Sequence, residues 1–161
     1  MKYKLVIFDL DGTILDTLED LKISVNFALK NNALPERTQE EVCRFVGNGI
    51  RLLIERAVPE NTDSAVTDKV FSDFKEHYAV HNMDNTKPYG GIESLLKKIR
   101  KENIKTAVVS NKADFAVQKL IKLLFDGYFD FVLGERADIN KKPAPDMVNE
   151  AIKHCGVLPE E

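Results

Sequence analysis

The sequence predicts an α/β fold: a Rossmann-like core on a parallel sheet, with an all-helical domain inserted into it. Three short apolar runs, Leu5–Phe8, Ile104–Val109 and Tyr128–Leu133, each end at polar or glycine residues, which is typical of buried strands in a parallel sheet. Stretches with apolar residues at helical spacing follow or separate these runs. Because strands that alternate with helices form βαβ units, a parallel sheet with right-handed crossovers is expected.

Three helical patterns belong to this core. The first covers 92–103, directly after Gly91, and can serve as the crossover into the second strand. The second spans Phe115–Phe125. The third begins near Pro145, which suits a first helical turn, and stops at Gly156.

The long connection between the first two strands predicts the inserted domain. A parallel crossover needs only about a dozen residues, and far more separate Phe8 from Ile104. We therefore expect a core formed by 1–14 and 87–161 and a helical insertion over 15–86. Four helices are predicted in the insertion from apolar spacing and one capping box: Leu18–Leu29, Thr38–Phe45, Ile50–Ala57 and Val66–Tyr78.

Composition narrows the function classes. The chain has 161 residues, 43% of them hydrophobic and 30% charged, and a net charge of −3, so no basic field favours nucleic acid. Two isolated cysteines, Cys43 and Cys155, indicate reduced thiols, and no run has the length of a signal peptide core or a membrane span. We expect a cytoplasmic protein, a monomer or weak dimer, acting on a small molecule without nucleic acid or membrane.

Two carboxylates follow the first predicted strand. Asp9 and Asp11 are two residues apart, so in extended backbone they point the same way, at the sheet edge where open α/β folds bind ligands. Such close like charges repel unless a cation lies between them or one is protonated. Carboxylate oxygens suit Mg²⁺, with Gly12 and Thr13 completing the turn. The alternative is that both aspartates only cap a loop.

Polar residues also follow the other two strands. Ser110 and Asn111 offer a hydroxyl and backbone N–H groups, which could bind phosphate, although N-capping of the next helix is the simpler interpretation. Lys142, in a loop stiffened by Pro143 and Pro145, could neutralise a phosphate, although it could also be an ordinary surface lysine. Together with the carboxylates, these groups are the components of phosphoryl transfer.

These motifs resemble those of the haloacid dehalogenase superfamily. The segment Asp9–Thr13 matches the first motif of that superfamily, Asp-x-Asp-Gly-Thr; Ser110 matches the second, and Lys142-Pro143 the third. The helical insertion resembles the family's cap. Within the family the chain looks most like phosphoglycolate phosphatases, because Val46–Gly49 resembles their cap loop.

The resemblance implies a role for each motif residue. Asp9 would be the nucleophile that forms an aspartyl-phosphate, and Asp11 would protonate the leaving alcohol and then activate water. Asp9 and the Asp11 carbonyl would ligate Mg²⁺, while Lys142 would offset the charge on Asp9 and the phosphoryl group. Further residues would bind phosphate or select the substrate: Thr13, Ser110, Asn111 and Lys142 for phosphate, and Gly47, Asn48, Gly49 and Arg51 in the cap.

The chain departs from the family in one respect. The fourth motif, Gly-Asp followed by another Asp, has no match in these 161 residues. We therefore expect the C-terminal part of the core to be missing, Leu5–Phe8 to have an open apolar edge, and the chain alone to bind Mg²⁺ weakly and turn over little. Three functions are carried forward: a Mg²⁺-dependent phosphatase for a metabolite such as phosphoglycolate, a sugar-phosphate mutase, and a non-catalytic binding or regulatory protein.

A histidine pair lies outside these motifs. His77 and His81 are four residues apart on the last predicted cap helix, a spacing that can bind metal. The sequence favours the alternative, that both lie on a solvated helix surface.

Overall fold

The computed structural model describes residues 3–160 and confirms the α/β architecture. The chain divides into two compact units: one comprises the residues up to Leu15 and from Pro88 onward, and the other comprises Asp16–Lys87. The two points at which the chain passes from one unit to the other each lie one residue from the predicted boundaries. The elements, in chain order, are β1 (Leu5–Phe8), β2 (Leu15–Asp16), α1 (Leu18–Asn31), α2 (Gln39–Phe45), α3 (Ile50–Ala57), α4 (Ser64–His81), β3 (Lys87–Pro88), α5 (Ile92–Lys101), β4 (Lys105–Ala113), α6 (Asp114–Leu124), β5 (Phe131–Glu135) and α7 (Asp146–Cys155).

A parallel sheet organises the first unit. Its strand order is β1-β4-β5, and β1 pairs with β4 in parallel from Leu5–Lys105 to Phe8–Val108. Apolar side chains of β4 and β5 pack against α7 in one cluster, made of Ala107, Val109, Leu133, Met147 and Ala151. Since all three strands run the same way, their carboxyl ends meet at one edge of the sheet.

Strand β4 is longer than predicted. The sequence indicated an end at Val109, but the strand continues to Ala113, with a register irregularity between these two residues. Helix α6 begins at once at Asp114, with Ala113 as its N-cap residue. The alternative that Ser110 caps this helix is therefore wrong, because Ser110 lies inside the strand.

Strand β1 is less buried than predicted. All four of its residues are half-buried, whereas the apolar run Leu5–Phe8 had indicated burial on both faces. Within residues 3–160, β1 pairs with β4 and with no second strand, so one edge of its backbone is uncovered there.

The second unit consists of four helices around their own core. Helix α2 begins with the predicted capping box: Thr38 Oγ1 accepts the Glu41 N–H at 3.3 Å, and Glu41 Oε2 accepts the Thr38 N–H at 2.8 Å. Helix α3 has the predicted bounds. The core combines apolar side chains from all four helices, among them Leu21, Val25, Leu29, Val42, Ile54, Val70, Phe74 and Tyr78.

A buried carboxylate joins the two ends of this second unit. Asp20, in the first turn of α1, is 1% exposed. Its Oδ1 accepts the backbone N–H and the side-chain Nδ2 of Asn85, each at 2.9 Å, and its Oδ2 accepts the N–H and Oγ1 of Thr86 at 2.8 and 2.7 Å. Buried charge is tolerated only when it is satisfied in this way, so Asp20 fixes the start of α1 against the segment before β3.

The two histidines of α4 stack on each other and on Phe27. His77 stacks on Phe27 at 4.1 Å and on His81 at 4.3 Å between ring centroids, and its Nδ1 lies 3.0 Å from the buried Ser24 Oγ. His77 is therefore partly buried against α1, whereas the side chain of His81 is 44% exposed and lies 2.7 Å from Asp84. Burial, followed by the neighbouring His81, lowers the pKa of His77, while Asp84 acts in the opposite direction.

None of the helices in residues 3–160 combines the length and apolar character needed to cross a membrane. Both cysteines are free thiols, Cys43 exposed and Cys155 buried. Burial raises the pKa of the Cys155 thiol.

Candidate active site

A tight turn places two aspartates at the carboxyl end of β1. Asp9 and Asp11 follow the strand, and the backbone N–H groups of Ile14 and Leu15 donate to the Leu10 carbonyl at 3.1 and 3.0 Å. Gly12 adopts a φ of 77°, which favours glycine because a Cβ is strained there. Leu10 is fully buried and anchors the turn, so both aspartates are held at the sheet edge.

Lys142 binds the first aspartate. Its Nζ donates to Asp9 Oδ1 at 2.6 Å and to the Val109 carbonyl at 2.9 Å. The side chain of Lys142 is 30% exposed and that of Asp9 is 42% exposed, so a ligand can reach this pair from solvent. The structure thus joins two residues 133 positions apart in the chain.

Asn111 holds the loop that carries Lys142. Its Oδ1 accepts the Lys142 N–H at 2.9 Å, and its Nδ2 donates to the Lys142 carbonyl at 3.0 Å. This pair of hydrogen bonds fixes the backbone of Lys142 from both sides. The sequence had suggested only the backbone N–H of Asn111 as a phosphate ligand and did not predict this use of its side chain.

Ser110 and Lys112 lie two residues apart on β4. Ser110 is 2% exposed, and its Oγ accepts the Lys112 N–H at 3.1 Å. The Lys112 Nζ donates to Asp11 Oδ1 at 3.0 Å, with the side chains of Lys112 and Asp11 only 6% and 16% exposed. No role had been predicted for Lys112 from the sequence.

Lys112 lies close to Asp11 because β1 and β4 are neighbours in the sheet. Phe8 pairs with Val108, and the same offset would set Asp11 opposite Asn111, one residue before Lys112. The sequence prediction ended this strand at Val109, so Lys112 fell outside the predicted strand. The missing signal was therefore the true end of β4.

The two carboxylates each have their own ammonium partner. The sequence left two ways to relieve their repulsion, a bound cation or a shared proton, and the structure adds a third: Lys142 pairs with Asp9, and Lys112 pairs with Asp11. The cluster of Asp9, Asp11, Ser110, Asn111, Lys112 and Lys142 is called the carboxylate–lysine cluster below.

The carboxylate–lysine cluster provides oxygen donors of the kind Mg²⁺ prefers. Mg²⁺ is commonly held by one or two carboxylates together with water and substrate phosphate oxygens, and Asp9 and Asp11 offer such a pair. In the part of the chain that the structure describes, no group of three or more His, Cys, Asp or Glu side chains is placed to hold a metal. Asp9 and Asp11 could hold a Mg²⁺ ion that takes its other ligands from water and from phosphate oxygens.

The remaining predicted site residues are Thr13 and four residues of the second unit. Thr13 is exposed in the turn after Asp11. The predicted substrate-selecting residues belong to the second unit: Gly47 and Gly49 have φ values of 115° and 90°, and Asn48 Oδ1 accepts from Arg56 at 3.0 Å. Arg51 pairs with Glu55 and Asp68 at 2.6 and 2.5 Å.

Comparison with known families gives a match over almost the whole chain. The sequence profile of the haloacid dehalogenase-like hydrolases matches residues 6–161. A phosphoglycolate phosphatase of Aquifex aeolicus is 31% identical over 159 residues, which are 98% of this chain and 73% of that protein. The phosphoglycolate phosphatase of Mannheimia succiniciproducens is also 31% identical, over 99% of this chain and 75% of its own length.

Solved structures give the same picture. A Lactobacillus delbrueckii protein predicted to be a phosphoglycolate phosphatase superimposes with a TM-score of 0.92 at 38% identity, covering 98% of this chain and 75% of that one. A predicted phosphoglycolate phosphatase of Haemophilus somnus superimposes with a TM-score of 0.90 at 27% identity, over 99% of this chain and 75% of its own. The chain thus spans about three quarters of the length of these relatives.

Proposed function

Since the chain belongs to the haloacid dehalogenase-like hydrolase family, we propose that it is a phosphatase in which Asp9 attacks the phosphorus atom of a small phosphomonoester. The observation that carries this proposal is the ion pair between Asp9 and Lys142 at the end of β1, beside the second pair of Asp11 and Lys112. A nucleophilic carboxylate needs a nearby cation to approach a phosphate dianion. Lys142, held in place by Asn111, supplies that charge.

The first step transfers the phosphoryl group to the protein. Lys142 binds Asp9 Oδ1, so the other carboxylate oxygen forms the new bond to phosphorus. The bond from phosphorus to the ester oxygen breaks, and Asp11 in its protonated form donates a proton to the leaving alcohol. The products of this step are the free alcohol and an aspartyl-phosphate on Asp9.

The second step returns Asp9 to its starting state. Asp11, now a carboxylate, takes a proton from water as the water oxygen attacks phosphorus. The acyl-phosphate bond breaks, and inorganic phosphate and the Asp9 carboxylate are released. Because Asp11 gives a proton in the first step and takes one in the second, no other proton donor is required.

Groups around Asp9 would hold the transferred phosphate. The Ser110 hydroxyl, the Asn111 N–H and Thr13 are proposed as hydrogen-bond partners, in line with the preference of phosphate for backbone N–H and hydroxyl donors. When bound through the Asp9 carboxylate and the Asp11 carbonyl, Mg²⁺ would neutralise charge on the phosphate oxygens. Ser110 is 2% exposed, so little of its surface is open to a phosphate.

The named relatives suggest a substrate. Both curated relatives reported above are phosphoglycolate phosphatases, and we propose a small phosphorylated acid such as phosphoglycolate. Gly47, Asn48, Gly49 and Arg51 remain the proposed substrate-selecting residues. The guanidinium of Arg51 is shared by two carboxylates, so an anionic substrate would have to compete with them.

A phosphate-release screen with Mg²⁺ over small phosphomonoesters, including phosphoglycolate, tests the proposal. Asp9→Asn should abolish release, while Asp126→Asn, at an exposed position, should not change it. Activity retained in Asp9→Asn would contradict the nucleophile assignment. Isomerisation of β-glucose 1-phosphate without net release would indicate the mutase, and no turnover of any ester would favour the binding or regulatory alternative.

A further inference from the structure

Lys112 is the most enclosed charged group of the carboxylate–lysine cluster. Its side chain is 6% exposed, and its Nζ lies 3.0 Å from Asp11 Oδ1. Lysines are almost never this buried unless they are paired, because an isolated ammonium is costly to remove from water. The contact with Asp11 therefore accounts for a position that would otherwise destabilise the fold.

The backbone around Lys112 is fixed on both sides. Its N–H donates to Ser110 Oγ at 3.1 Å, and the Gly134 N–H of β5 donates to Asp114 Oδ1 at 2.8 Å. A Cβ added at Gly134 would lie 2.6 Å from the Lys112 carbonyl oxygen, so the two strands approach closely here. The ammonium of Lys112 thus projects from a rigid support, whereas Asp11 lies in a turn.

We propose that Lys112 is a positioning residue, which holds the Asp11 carboxylate where it can exchange a proton with the leaving oxygen. This inference rests on the proposed function. A short carboxylate side chain beside a second carboxylate would otherwise turn away from it, because like charges repel. Lys112 anchors Asp11 from the strand side, just as Lys142 anchors Asp9.

The leaving group of the substrate distinguishes this role from a general structural one. An alkyl phosphate needs a proton on its leaving oxygen, whereas p-nitrophenolate leaves readily as an anion. Single-turnover release of the alcohol or phenol reports the first step alone. For Lys112→Met we expect a loss of about 100-fold with the alkyl ester, the lower end of what a positioned general acid contributes, and a loss of less than about 5-fold with p-nitrophenyl phosphate.

Matched variants complete the test. Lys119→Met, on the exposed face of α6, should leave both rates unchanged, and Lys112→Arg should recover part of the alkyl-ester rate. Asp11→Asn should show the same dependence on leaving group, and combining it with Lys112→Met should add little, because residues that act through one another are not additive. Equal losses with both esters, no loss, or a gain in rate would each overturn the proposal.

A structural readout separates this inference from the proposed function. If the wild-type protein turns over neither ester, the proposed function fails. Crystal structures of wild type, Lys112→Met and Lys112→Arg then decide the positioning role. We expect the Asp11 carboxylate to move or lose order in Lys112→Met and to keep its place in Lys112→Arg. An unchanged Asp11 in Lys112→Met would refute the role of Lys112 whatever the activity.

Discussion

The hydrogen bonds of Asp20 make the second unit sensitive to a single atom exchange. In Asp20→Asn the size of the side chain is kept, but one carboxylate oxygen becomes an NH₂ group. Each oxygen accepts at least two short hydrogen bonds from Asn85 or Thr86, so the new NH₂ group must face donors on one side. At least two charge-assisted hydrogen bonds are lost in either orientation.

The cost follows from these two bonds. Hydrogen bonds to charged groups contribute roughly 1.5–3 kcal/mol each, so Asp20→Asn should lower the free energy of unfolding by about 3–6 kcal/mol. Domains are typically stable by only about 5–15 kcal/mol. With a urea dependence of about 2 kcal/mol per molar, the unfolding midpoint should fall by roughly 1.5–3 M.

Urea titration followed by helical circular dichroism measures this shift. Asp126→Asn, the same exchange at an exposed position, is the control and should change stability by less than about 0.5 kcal/mol. A midpoint for Asp20→Asn within about 0.5 M of wild type, at an unchanged slope, would refute the reasoning. It would mean that the donors around Asp20 find other partners without loss.

Three other substitutions test other parts of the molecule. Lys142→Met removes a charge 2.6 Å from a half-exposed carboxylate. Once the Coulomb energy of this pair is reduced for solvent screening, about 3 kcal/mol remains, so kcat should fall about 100-fold. Lys141→Met, whose partner is the exposed Glu135 carboxylate, should change kcat by no more than about twofold. Burial lowers the pKa of His77, so the folded chain binds fewer protons than the unfolded chain at low pH. The free energy of unfolding should therefore fall as the pH drops below about 6.5. Urea titrations at several pH values should show a weaker pH dependence of stability in His77→Phe. Gly134→Ala would place a methyl group 2.6 Å from the backbone of β4, which should lower the free energy of unfolding by about 1–3 kcal/mol or more and reduce turnover. Gly90→Ala places its methyl group in open space and should change neither stability nor turnover. Equal melting temperatures for the two variants would contradict this prediction.

Local patterns predicted the elements well. The run Leu5–Phe8 is a strand with the predicted bounds, because an apolar stretch that ends at a charged residue leaves little freedom in where it stops. The capping box at Thr38 and Glu41 correctly marked the start of α2, since it depends only on residues three apart. The bounds of α3 were likewise predicted correctly from spacing alone.

Long-range contacts were not predictable in the same way. The end of β4 depends on its pairing with β5 rather than on local composition, so the strand was predicted too short and Lys112 was overlooked. In the sequence, Asp20 is an ordinary acidic residue of a first helical turn. Its partners Asn85 and Thr86 are 65 and 66 positions away in the chain, and only the fold brings them to it. The partial burial of His77 was not predicted because Ser24 and Phe27, which contact it, belong to another helix.

The sequence predicted which residues would form the candidate active site, but not which of them would pair with each other. In the sequence, Asp9, Ser110 and Lys142 each follow a predicted strand of one parallel sheet, so sequence order alone indicated that they would meet. Which lysine pairs with which aspartate depends on strand register and on the loop held by Asn111. No single segment contains that information.

Chemical trapping of the intermediate is the most direct test of the central claim, that Asp9 becomes phosphorylated. The protein is mixed with a phosphomonoester that it turns over, quenched in acid during turnover, and reduced with borohydride, which converts an aspartyl-phosphate into homoserine. Mass spectrometry of the peptide that contains Asp9 and Asp11 should then find homoserine at position 9 alone, and none when the ester is omitted. Turnover with no homoserine at position 9, or with homoserine at position 11, would contradict the account.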